Sequence, residues 1–150
     1  MGKKNQFIDH HTVTEHLSPH TYSKQLYKGI LADRSKAVFN GRVFIAEGAK
    51  GSRSEQLNKN LLLSKKAEIN TKPELQIYND DVKATHGATV GQLDLEQLFY
   101  LQSRGISRKE AWNILCRGFS LDFIDELNEL DLDAFHQSMI REIDGLGDEN

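Results

Sequence analysis

Around Asp94 the spacing of apolar residues changes, and no single kind of element fits both sides of it. Before this point apolar residues come in brief runs, alternating with polar ones or bounded by Asn, Gly, Ser and Asp. After it they recur every three or four residues. The stretch that joins the two regimes runs from Thr71 to Gly91. Leu75 and Ile77 alternate with Gln76 and Tyr78, the period of a half-buried strand. Asn79-Asp80 has turn chemistry. Val82, Ala84 and His86 then share one side of the next strand, with Lys83 and Thr85 on the other. Gly87 is expected to break this run, and Thr89-Val90 to begin another. That places His86 at a strand end beside a glycine, where a partner approaches closely.

Upstream, the first seven or so residues read as disordered or tag-like, and residues 1–20 as an N-terminal extension holding at most the first strands. Phe7 to Tyr27 is rich in β-branched and aromatic residues, punctuated by Ser18-Pro19. Ala37-Val38-Phe39 leads through Asn40-Gly41 to Val43-Phe44-Ile45. Asn-Gly between two apolar runs is a hairpin signal, but it also turns corners in other all-β architectures, so it leaves strand direction open. Residues 21–93 therefore read as a β unit of short strands. Two architectures compete: an antiparallel sandwich, and a partial parallel β-helix whose inward Leu, Ile, Val and Phe stack rung on rung. Leu57–Ser64 and Ala67–Gly91 suit the coil better, and it is the expected fold, followed by helices.

Residues 94–145 read as a helical domain. Asp94 is placed as an N-cap with Glu96 in the first turn, and Leu95, Leu98, Phe99 and Leu101 on one side. Arg104-Gly105 ends this helix. Ser107 and Glu110 form a capping box for a second helix, with Ile106 and Ala111 as its staple. That helix is expected to carry Ala111, Ile114, Leu115, Gly118, Phe119, Asp122 and Phe123 on one stripe. With Trp112, Leu121, Ile124 and Leu127 added, it is too apolar for one seam, so part of it covers the β unit or meets another protein. Leu130 to Ile143 reads as a third helix.

Composition narrows the function. A net charge of -3 gives no steering toward nucleic acid or anionic lipid. No apolar run is long enough to span a membrane, and MGKKNQ begins no secretory signal. The lone Cys116 excludes an internal disulfide and a self-contained thiolate cluster site, and fits a reducing, cytoplasmic setting. Mid-helix, it reads as a small packing residue. No phosphate-binding glycine loop, nucleophile elbow or paired-cysteine motif occurs. His10, His11, His16 and His20 have metal-ligand chemistry at close spacing, although near a terminus such clusters are mostly solvated. Asp80 and Asp81 point to opposite faces if they continue a strand.

Four stretches carry a resemblance: SKQLYKGIL (23–31), KAVFNGRVFIA (36–46), NKNLLLSKKAEINTKPELQIYNDDVKATHGATVG (58–91) and EQLFYLQSRGISRKEAWNIL (96–115). They resemble the C-terminal part of the SufB/SufD family of iron–sulfur cluster assembly proteins. Glycine after the histidine, in HGATVG, is similar to the SufD-type branch, since the SufB-type motif has glutamate there. The resemblance implies a right-handed parallel β-helix followed by a C-terminal helical domain. It implies a non-catalytic scaffold that pairs with a SufB subunit along the β edge and docks the ATPase SufC through its helices. His86 matches the family histidine at the subunit interface, where it faces a SufB cysteine and holds metal only in the complex. Docking on SufC falls to the region of Phe99, Arg104, Gly105, Ile106 and Trp112. The cluster would be transient in the complex, with none held stably by this chain alone. The family also has more β-helix upstream, so the chain is expected to be a fragment whose open rung self-associates into a homo-oligomer. Two readings compete: a SufB-like subunit, and a β-helix enzyme acting on polysaccharide or acyl substrates with Asp81 and His86 as its pair.

Overall fold

The computed structural model describes residues 1–121 and 133–144. Six strands come first: β1 (Phe7–His16), β2 (Tyr22–Leu31), β3 (Lys36–Ile45), β4 (Arg53–Leu62), β5 (Glu68–Ile77) and β6 (Lys83–Gln92). Odd strands form one sheet in the order β1-β3-β5, even strands another in the order β2-β4-β6. The registered pairs are parallel, so each circuit of the chain lays one strand on each sheet. Phe7 pairs with Lys36, and Lys36 with Glu68. This is the coil expected from the sequence, not the sandwich.

The strands are longer than their patterns suggested, ten residues each. Gly87 does not break β6, and Asn40-Gly41 makes no turn but lies inside β3. The hairpin signal fails because β3 is hydrogen-bonded on both sides, by β1 and β5, which holds the dipeptide extended. Glycine is required there for another reason. A Cβ on Gly41 would lie 2.7 Å from Phe39 Cζ and 2.8 Å from Gln56 Nε2, so its absence makes room for a ring and an amide.

The corners stack as the strands do. Lys4 and Asp33 take left-handed φ values of 59° and 55° at one corner, His20 and Gly51 values of 56° and 69° at another. Arg34 N donates to Lys4 O at 2.9 Å, and His20 N to Lys50 O at 2.9 Å. The N-terminal residues that read as a tag are part of this stacking. Gly2 N donates to Ile30 O, and Gly2 O and Gln6 O accept from Ala32 N and Lys36 N.

The interior differs most from expectation. Two apolar clusters are separated by a largely polar stretch of interior that also holds buried Phe39 against Tyr27. Leu31, Ala37 and Ala67 gather Ile8, Leu62 and Ile69. Val43, Ile45 and Ala49 gather Ala46, Leu75, Val82 and Ala84. Between them the inward positions of β4 are Ser54, Gln56, Asn58 and Asn60, all buried. Buried polar groups are tolerated when they bond one another, and the stacking supplies partners one circuit away. Ser23 meets Ser54 at 3.0 Å, Thr21 meets Ser52 at 2.8 Å, and Gln56 Nε2 donates to Gln25 Oε1 at 3.0 Å. Gln25 Nε2 donates in turn to Thr14 Oγ1 at 2.6 Å, across to β1. His16, 2% exposed, is held by Thr21 Oγ1 at 2.6 Å and Ser23 Oγ at 2.9 Å.

The residues from Gln92 onward form a separate compact unit. It holds α1 (Leu95–Ser103), α2 (Arg108–Leu121) and α3 (Asp133–Asp144). Asp94 Oδ1 caps α1, accepting from Glu96 N at 2.8 Å and Gln97 N at 3.3 Å. At the other end Gly105, at φ 85°, closes a Schellman turn: Ile106 N reaches Leu101 O and Gly105 N reaches Gln102 O. Ser107 Oγ accepts from Glu110 N at 3.2 Å, the expected cap of α2. The buried stripe of α2 is Ala111, Trp112, Cys116 and Ser120, not the one centred on Ile114 and Gly118. Because α2 packs against both α1 and α3, its buried face is set by where those neighbours lie. Arg117 bonds Asp144 at 2.6 Å, tying α2 to α3. The expected continuation through Asp122, Phe123, Ile124 and Leu127, and the start of a helix at Leu130, lie outside the described residues.

Candidate functional site

His86 lies on β6, the last strand of its sheet, and is exposed. Around it Thr85, Ala88, Thr89 and Val90 are exposed too. Its neighbours follow from register. Arg53 N donates to Thr21 O where Arg53 pairs with Tyr22. Lys83 N donates to Ser52 O at 3.0 Å in the same relation, which sets Lys83 beside Arg53. Three positions on, His86 stands beside Gln56 and Gly87 beside Leu57. Consistently, a Cβ on Gly87 would be 3.3 Å from Leu57 Cδ1. The side of β6 that carries Ala84, packed on the Val43 cluster, also carries His86. The imidazole thus stands over the end of the polar interior.

His10, His11, His16 and His20 do not converge. His16 is inside the coil, where burial lowers its pKa from 6.5. His11 is outside, 2.9 Å from Asp9. His10 is exposed on β1, and the His20 ring lies against Gly51. Among the described residues no group of three or more His, Cys, Asp or Glu side chains is placed to hold a metal ion. The spacing that suggested a metal site is undone by strand alternation and by a corner. Asp81 sits at the corner before β6, its backbone N bonded to Asn79 Oδ1 and its O to Gly51 N. Five residues of extended chain separate it from His86, about 16 Å, so the two form no acid–base pair.

Cys116 is fully buried in α2, and burial pushes its thiol up to about 12. A thiol that stays protonated is a poor nucleophile and a poor ligand. Labelling with iodoacetamide at pH 8 is therefore expected to leave Cys116 unmodified in the folded protein and to go to completion in denaturant. Mass spectrometry reads both. Rapid labelling without denaturant would show that α2 opens.

On the helical unit, Phe99 is 73% exposed, with Leu95 at 70%, Tyr100 at 57% and Ile114 at 41%. The Arg104 guanidinium lies 5.3 Å from the Tyr100 ring centroid and donates to its hydroxyl at 3.2 Å. Gly105 and half-buried Ile106 complete this turn. Trp112 stands apart from that surface: it is buried at 8% exposure. The sequence reading placed Leu95 with Leu98 on one packing side, yet Leu98 alone of α1 is buried. The signal for an exposed apolar strip was present in Leu95 and Phe99, four residues apart. Among the described residues no helix is long and apolar enough to cross a membrane.

The family model described as the SUF system FeS cluster assembly SufBD core domain matches residues 1–119. The chain is similar to the iron–sulfur cluster assembly protein SufD of Escherichia coli K12, with 43% identity over 129 residues, 86% of this chain and 30% of that protein. It is 43% identical over 122 residues to a SufBD family protein of Synechocystis, covering 81% of this chain and 27% of the relative. To SufD of Bacillus subtilis it is 36% identical over 127 residues, 85% of this chain and 29% of that one. The chain spans under a third of the length of these curated relatives.

Proposed function

The chain belongs to the SufBD core family of SUF-system iron–sulfur cluster assembly proteins, and on that premise we propose that it is a SufD-like, non-catalytic scaffold on which clusters are built. The cluster is cargo, passed through a site shared between subunits. His86 supplies one ligand from β6, and a SufB-type partner meeting the same sheet edge supplies a thiolate. A neutral imidazole and a thiolate make a mixed nitrogen and sulfur site suited to iron. One histidine alone leaves too few ligands, so binding depends on the partner. The exposure of His86 on the outermost strand carries this reading. The helical unit is the docking face for a SufC-type ATPase, through Phe99, Arg104, Gly105 and Ile106, with Leu95 and Tyr100 extending the strip. Trp112 supports that face from within. ATP-driven movement of the docked subunits would then open the site around His86.

The test replaces His86 with alanine in cells that depend on this pathway. Changes in residues that merely orient a ligand cost about 10–100-fold in affinity or activity, so loss of a ligand is expected to lower delivery of clusters to a reporter enzyme by at least about tenfold. Copurification of the SufB- and SufC-type partners should persist, showing that assembly is intact. Undiminished delivery by His86→Ala would remove the central residue. Separately, Phe99→Glu is expected to reduce recovery of the ATPase without affecting the SufB-type partner.

A further inference from the structure

We propose that Gln56 is the positioning residue for His86: its buried side-chain carbonyl accepts a hydrogen bond from the imidazole N–H and decides which ring nitrogen is left to face a ligand. The inference rests on the reading of His86 given above. Three observations support it. First, the register places the two residues side by side on adjacent parallel strands, about 4.7–4.9 Å apart, with their side chains on the same side of the sheet. Second, Gln56 is 2% exposed and its Oε1 has no hydrogen-bond partner. A buried carbonyl without a donor is costly. Third, the amide is already oriented. Its Nε2 donates toward β2, to Gln25 Oε1 at 3.0 Å, and Gln25 is itself anchored on Thr14. Oε1 is thereby left as the free end of the amide, and β6 carries His86 on the other side of β4. Gly41 provides the room, since a side chain there would meet the Gln56 amide.

The bond is open in this structure, and rotation of the exposed His86 side chain is what closes it. Its consequence is chemical. A neutral imidazole carries one proton, and a carbonyl held against one nitrogen keeps the proton there, leaving the other nitrogen as the acceptor or ligand. Thr12 Oγ1 and Asn60 Oδ1 are also buried oxygens without a partner; Thr12 lies on β1 in register with Gly41. If Thr12 satisfies Gln56 instead, His86 is indifferent to Gln56.

Nitrogen NMR on the histidine-labelled chain separates these cases, with the His86 signals assigned by their loss in His86→Ala. In the unaltered chain the two His86 nitrogens are expected to report one dominant tautomer. In Gln56→Leu the populations should relax toward those of free imidazole. In Gln56→Glu a carboxylate in the same place accepts from the same ring nitrogen and should keep the one dominant tautomer. Val13→Ala, at an exposed position of β1 outside this ladder, should leave the His86 signals unchanged. If Gln56→Leu does not fold, Gln56→Asn retains the amide, withdraws it by one methylene and should release the tautomer likewise. Identical His86 tautomer populations in the unaltered chain and in folded Gln56→Leu or Gln56→Asn would overturn the proposal. The spectra read the pair whether or not a cluster forms. Full delivery by His86→Ala with the NMR coupling intact would therefore sink the assembly role alone.

Discussion

Truncating Ile45 to alanine is expected to cost the β unit about 2–5 kcal/mol. Ile45 is fully buried, as is Val43 beside it, and both pack with Ala49, Leu75, Val82 and Ala84. Residues from two successive circuits meet there, so the cavity would open between rungs rather than at a surface that can collapse. The loss is large because domains are stable by only about 5–15 kcal/mol. It weighs more here because the inward positions of β4 are polar and add no apolar burial. Urea unfolding of the two proteins measures it, with an unchanged slope showing that the transition is the same one. Val13→Ala, at a position 53% exposed on β1, is the comparison and should change stability by no more than about 0.5 kcal/mol. Equal effects at the two sites would mean that the Val43 cluster is not a core.

The second large effect is a loss of stability in mild acid, carried by His16. Its imidazole is enclosed by Thr21 and Ser23, hydroxyls that satisfy a neutral ring without compensating a charge. Burial therefore holds its pKa below the ordinary 6.5. Above that value both the folded and the unfolded chain carry His16 neutral, and it adds no pH dependence. As pH falls below 6.5 the unfolded chain takes up the proton first, so the unfolded state gains and stability drops until the folded value is reached. One proton sets an upper slope of about 1.4 kcal/mol per pH unit. His16→Gln keeps a group able to bond both hydroxyls and removes the titration. Every other histidine is common to the two proteins, so the difference between their stability curves from pH 7 to 5 isolates His16. Parallel curves would show that the buried imidazole accepts the proton freely.

The alternation of Ser54, Gln56, Asn58 and Asn60 with Glu55, Leu57 and Lys59 shows why the interior was hard to read. By composition the even positions look like the solvated face of a strand. They are the buried face, because the preceding circuit sets Ser23 against Ser54 and Gln25 against Gln56, while Asn60 donates to Asn58. Nothing within β4 itself announces that partner. The Asn40-Gly41 reading failed for a similar reason, since the residues that hold it extended belong to β1 and β5. The histidines near the N-terminus looked like one cluster because sequence spacing ignores the faces of a strand.

The caps of the helices were legible, because Asp94, Gly105 and Ser107 act on groups within four residues of themselves. The buried face of α2 was not, since it depends on α1 and α3. For His86 the split runs through the site. HGATVG marked the residue and its branch of the family, and a strand leading up to it was expected, but not the continuation of that strand through Gly87. That Gln56 stands next to it emerged only from the register of β4 and β6.

What the amino acids determined by themselves was local: the change of period at Asp94, the helix ends, and the motif around His86. Which face of each strand turns inward, and which residues thirty positions apart become neighbours, was decided by the tertiary structure. The physical reason is that strands are joined by backbone hydrogen bonds, which are the same for every residue. Register is therefore chosen by the packing of the whole coil, and no short stretch of side chains encodes it.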